Sequence, residues 1–135
     1  MQIQTRSHRG HSGSPHIIVV GSNPSTSSRC KSIKVLNLWL DYISNGYIVS
    51  FTNVSIHQTK NNRPLLKNEW ELDRLFTEVK SYDKIITLGK TASEALDSLG
   101  LDHFKMHHPS PLNRLNNDIA HVYQRLEDCK KYLEE

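Results

Sequence analysis

Hydrophobic and polar positions recur along this chain with two periods, which divide it into short buried strands and longer amphipathic helices. His16-Ile17-Ile18-Val19-Val20 is a continuous apolar run, the pattern of a strand covered on both faces, and Gly21-Ser22-Asn23-Pro24-Ser25 closes it in a turn. Ile33, Leu36, Trp39, Leu40 and Ile43 follow at near-helical spacing, with Ser28 or Ser32 as the expected cap and Asn45-Gly46 as the stop. Tyr47-Ile48-Val49-Ser50-Phe51, β-branched and aromatic, predicts a second strand that runs into Thr52-Asn53-Val54 and then a polar loop reaching Leu66. Trp70, Leu72, Leu75, Phe76 and Val79 predict a second helix capped by Asn68. Lys84-Ile85-Ile86-Thr87-Leu88 predicts a third strand. Gly89 turns it into a helix through Ala92, Ala95, Leu96 and Leu99, stopped at Gly100. A fourth strand is expected from His103 to His107, and a last helical stripe through Ile119, Val122, Tyr123, Leu126, Cys129 and Leu133.

Strands alternating with helices predict an α/β fold, a three-layer α/β/α arrangement with a four-stranded, mostly parallel sheet. Right-handed crossovers bring the carboxyl ends of such strands to one edge, where open α/β sheets bind ligands. Residues 21–25, 52–54, 89–91 and 107–114 each follow a strand, so these distant polar groups are expected to converge.

With 135 residues the chain closes one core, expected over residues 16–135, behind a flexible basic leader over residues 1–15 that carries Arg6, His8, Arg9 and His11. Apolar residues make up 36% and charged residues 23%, an ordinary globular balance, and no apolar run approaches a membrane span. Cys30 and Cys129 lack the spacing of a disulfide framework or a metal knuckle, so a reducing cytoplasm is the expected setting. The net charge of +3 is compatible with a phosphate-bearing partner. The positive charge is also local, with Lys60, Arg63 and Lys67 in one loop and Arg114 in another.

The densest chemistry lies in His107-His108-Pro109-Ser110-Pro111-Leu112-Asn113-Arg114. Its two prolines exclude a regular helix or a central strand, leaving a stiffened loop. Imidazole, hydroxyl, apolar and guanidinium groups together suit a loop that grips an anionic polymer while one imidazole does chemistry. The His107-His108 pair has no third ligand at useful spacing, so no metal is expected. Gly89-Lys90-Thr91 is not a phosphate-binding loop, because Lys84 stands where that motif needs its first glycine.

Gly-Ser-Asn-Pro-Ser after the first strand, Thr-Asn-Val after the second and His-Pro-Ser-Pro-Leu-Asn-Arg after the fourth together resemble the uracil-DNA glycosylase superfamily, as does the Leu88-Gly89-Lys90-Thr91-Ala92 helix entry. The similarity spans residues 16–133. It implies hydrolysis of the N-glycosidic bond of uracil or a related pyrimidine flipped out of DNA. Under that resemblance Asn23 places the attacking water and His108 stabilises the departing base. Gly21, Ser22, Phe51 and Asn53 bind the base, and Asn53 reads the pyrimidine edge. Leu112 is the wedge that fills the vacated stack, while Ser25, Lys90, Ser110, Pro111, Asn113 and Arg114 hold the DNA. An asparagine at position 23 orients water without acting as a base, as in the slower branches of the family. The aromatic residue that family members place soon after the first motif is missing, with Phe51 or Trp39 as the available substitutes. The cysteines that hold an iron–sulfur cluster in one branch are also missing. The resemblance therefore implies no cofactor, DNA as partner, a monomer, and a bacterial cell or phage-infected host. A catalytically weak module that binds DNA or a modified base is the alternative. Taken singly, Asn23 reads as a turn former, Asn53 as a strand end and Arg114 as a solvated charge. Their order and strand-end placement favour the joint reading.

Overall fold

The computed structural model describes residues 4–8, 15–23, 31–44, 46–57, 59, 65–109 and 118–135, with the backbone alone for 4–8 and 31–33. In chain order the elements are β1 (Gln4–His8), β2 (His16–Gly21), α1 (Lys31–Ile43), β3 (Tyr47–Asn53), a 3-10 turn (Lys67–Glu69), α2 (Leu72–Val79), β4 (Lys84–Leu88), α3 (Gly89–Ser98), β5 (Phe104–Met106) and α4 (Ile119–Glu134). The sheet has five strands in the order β1-β3-β2-β4-β5. Four of them are parallel, and β1 pairs antiparallel along β3 from Gln4 opposite Phe51 to His8 opposite Tyr47. A stretch expected to be a flexible leader thus supplies an edge strand.

The direction of travel explains the layers. From β2 the chain steps one way to β3, then crosses back to β4 and on to β5. Right-handed crossovers then place α1 on one face and α2 and α3 on the other. The two core clusters follow this division. Ile17, Val19, Val49, Ile86, Leu88 and Met106 pack with Trp39, Leu40 and Ile43 of α1 and Leu126, Cys129 and Leu133 of α4. Ile18, Val20 and Ile85 meet Leu75 and Val79 of α2 and Ala92, Ala95 and Leu96 of α3. The unbroken apolar run of β2 is thereby consumed on both sides, each fully buried aliphatic side chain contributing about 1.5–3 kcal/mol. No helix among the described residues is long and apolar enough to cross a membrane.

Local chemistry moved three expected features. Asn68 does not cap α2: it lies within the 3-10 turn, and α2 starts after Glu71. Glu71 instead turns its carboxylate back to the Ile56 amide at 2.8 Å, so the helix start serves a neighbouring loop. The last helix is capped by Asp118, whose carboxylate accepts from the His121 amide at 3.0 Å. Its stripe enters the core only from Val122 onward, leaving Ile119 68% and Tyr123 53% exposed. Ser32 lies inside α1 rather than before it, and Ser28 is outside the described residues.

Candidate functional site

The reversal of strand order occurs between β2 and β4, so the carboxyl rim of the parallel strands is the expected crevice. Register puts the rim residues level with one another. Gly21 lies opposite Asn53, Val20 opposite Thr87, and Leu88 opposite Met106. Asn53 and Gly21 therefore stand in a row with Leu88 and Met106, and Gly89 and His108 lie one and two residues beyond it at the exits from β4 and β5. From β2 to β5 that row spans roughly 10 Å, two inter-strand spacings.

At the β3 end, side chains alternate so that Val49, Phe51 and Asn53 share the face covered by α1. Gly21 is required there: a Cβ on it would lie 2.6 Å from Asn53 Oδ1, so the missing side chain is the space that the Asn53 amide occupies. Phe51 sits one step deeper, packed against the α1-side core, roughly 6–7 Å below the rim. Ser22 donates its hydroxyl to Asn23 Oδ1 at 3.0 Å. Asn23 Nδ2 donates to the His57 carbonyl at 3.3 Å and to Thr59 Oγ1 at 3.4 Å. The Asn23 amide is thus fixed across the gap between two loops, and among the described residues Oδ1 accepts only from Ser22, which leaves it a lone pair for water.

What holds this end is a charged cluster that the sequence reading did not single out. Arg74 of α2 donates through Nη2 to the carbonyls of Asn53 at 2.6 Å and Val54 at 3.1 Å. Its Nη1 meets both carboxylate oxygens of Glu78 at 2.8 Å, and its Nε meets Glu71 at 3.3 Å. Glu78 also accepts from the Thr52 hydroxyl. The only sequence signal is Glu71, Arg74 and Glu78 at three- and four-residue spacing, which ordinarily marks a solvated helix face.

The β5 end is held by shape. Pro109 is fully buried, His107 packs edge-on against Trp39 with ring centroids 5.0 Å apart, and His108 projects from between them. Trp39 is therefore a core partner of His107. Gly89, at φ +87°, opens α3 directly beneath His108, and a Cβ there would meet His108 Cβ at 3.4 Å and Cδ2 at 3.7 Å. Desolvation against this floor, and secondarily the charge of neighbouring His107, pushes the His108 imidazole below the usual histidine range. The shift favours the uncharged ring at neutral pH, and a neutral imidazole N–H is the kind of donor that suits a carbonyl oxygen on which charge develops.

Ser25, Ser110, Pro111, Leu112, Asn113 and Arg114 lie outside the described residues, as do Lys60 and Arg63. Lys90 is exposed on the first turn of α3 and lines a groove of about 600 Å³ bounded also by Ser93, Glu94, Asp97, Lys105 and His108. That groove lies on the α3 side of His108, and neither Asn23 nor Asn53 contributes to it.

No known family model matches the chain, and no curated protein is significantly similar to it. The functional reading therefore rests on residues and geometry.

Proposed function

We propose that the protein is a monofunctional DNA glycosylase that hydrolyses the N-glycosidic bond of uracil, or a related modified or mismatched pyrimidine, flipped out of DNA. One observation supports the reading: Asn53, Asn23 and His108 follow β3, β2 and β5, parallel strands whose carboxyl ends share one rim. Cleaving this bond needs a placed water at the sugar, a donor at the base carbonyl and a group that reads the base. Asn23 Oδ1 orients the water, His108 donates to the departing base, and Asn53 accepts from and donates to the pyrimidine edge. Leu112 and Arg114, with Ser25, Lys90, Ser110, Pro111 and Asn113, grip the distorted strand. No metal or organic cofactor enters the reaction.

Labelled oligonucleotides carrying uracil opposite guanine, opposite adenine and unpaired, followed by alkaline cleavage at abasic sites, test this. Strand scission at the uracil supports the assignment. An intact strand at enzyme excess with no uracil-dependent binding removes it. A second reading, a module that binds uracil-containing DNA with little cleavage, is favoured by the short segment after Ser25, which lacks the expected aromatic residue. Retained affinity without abasic product selects that reading.

A further inference from the structure

The groove beside His108 contains a second constellation, separate from the rim. Ser93 of α3, only 7% exposed, lines the groove, and its Oγ is 3.1 Å from His103 Nε2. The other ring nitrogen, Nδ1, is 2.9 Å from the Leu101 carbonyl. A carbonyl only accepts, so Nδ1 carries the proton, and in the neutral ring Nε2 is left as the acceptor for the serine hydroxyl. One turn along the same helix face, Asp97 Oδ1 lies 3.6 Å from that same Nε2, positioned to stabilise the imidazolium formed when Nε2 takes a proton. Lys105 stands 3.5 Å from Asp97 and, with Lys90 one turn before Ser93, puts cations on the groove wall. Nucleophile, base and base-orienting group are thus in hydrogen-bond sequence beside an open groove.

We propose that Ser93 is a nucleophile activated by His103, and that the groove between α3 and β5 accepts a small activated ester. Ser93 Oγ forms a bond to the acyl carbon while its proton passes to His103 Nε2, and Nε2 returns that proton to the departing alcohol oxygen. Water then attacks the acyl-serine, giving its proton to Nε2, which passes it to Ser93 Oγ as the acyl carbon–Oγ bond breaks and the carboxylic acid leaves. Lys90 and Lys105 stabilise the transient oxyanion. Asp97 does not orient His103 in the usual triad sense, since it faces the reacting nitrogen; the Leu101 carbonyl does that.

The test uses a fluorophosphonate probe on the full chain, with the adduct located by peptide mass mapping. The expected result is a single adduct on Ser93, absent from Ser93→Ala and formed about 10²-fold more slowly in His103→Gln. Because His103 is buried at a structural junction, Asp97→Asn at an exposed carboxylate provides an independent arm, expected to slow labelling several-fold at an unchanged unfolding midpoint. No adduct on Ser93 in the wild-type chain overturns the proposal. So does labelling at the wild-type rate in Asp97→Asn and in any folded His103→Gln.

Discussion

The two ends of the rim are held in place by opposite means. At the β3 end, Asn53 and Asn23 are positioned by hydrogen bonds and charge: Arg74 clasps two carbonyls and two carboxylates, and the Asn23 amide is tied to Ser22, His57 and Thr59. At the β5 end, His108 is positioned by packing, with a buried proline after it, Trp39 beneath its neighbour and a glycine floor. A group that must hold a base edge at fixed angles benefits from directional bonds. A group that must stay uncharged benefits from a desolvating wall. The two ends should therefore fail differently when perturbed.

The largest effect is expected at the packed end. His108→Ala removes the donor aimed at the departing base and should lower the single-turnover cleavage rate by about 10²–10³-fold, the range for one lost oxyanion donor. DNA affinity, measured separately, should change far less; equal losses in both would deny His108 a chemical role.

Next comes the charged end. Arg74→Met removes the guanidinium donor from the Asn53 and Val54 carbonyls and leaves Glu78 without its cation. It should cost about 3 kcal/mol in denaturant unfolding, the lower range for breaking a mostly buried pair. Arg74→Lys should recover only part of this, because one ammonium cannot reach the carbonyls and the carboxylate together. Full recovery would mean that charge alone, without the fork geometry, holds the loop.

Gly21→Ala places a Cβ 2.6 Å from Asn53 Oδ1 and must displace that amide. Discrimination between uracil and cytosine, whose donors and acceptors differ on the edge that Asn53 meets, should fall by about tenfold, roughly 1.4 kcal/mol, with His108 unaffected. Unchanged discrimination would remove Asn53 as the base reader. Gly89→Ala, at φ +87° beneath His108, should instead cost about 1–2 kcal/mol of stability.

The smallest effect is titration. The folded chain holds the His108 pKa below its ordinary value, so its contribution to stability is complete above about pH 6.5 and is lost as pH falls through the lower folded value. His108→Asn should flatten the fall in unfolding midpoint across that acid range. An unchanged slope would show that the ring is not desolvated.

The same contrast explains how much of the molecule could be read beforehand. The strands β2, β3 and β4 and the rim residues that follow them were legible because buried parallel strands are continuous apolar runs, and the residues after them sit at the rim by topology. β1 was not, since Gln4–His8 is polar and its pairing with β3 is non-local. The Arg74 clasp was hidden for a related reason: its partners include carbonyls 20 and 21 residues back, and charges spaced along a helix look solvated until the loop they hold is seen. The Ser93–His103 pair joins a helix to the loop before β5, and neither residue belongs to a motif.

Free uracil released from a uracil·guanine duplex at enzyme excess, quantified by mass spectrometry over time, tests the rim most directly. Release approaching one uracil per duplex, slowed at least about 10²-fold by His108→Ala, is the predicted result. No free uracil from the wild-type chain, or identical release from both proteins, would contradict it.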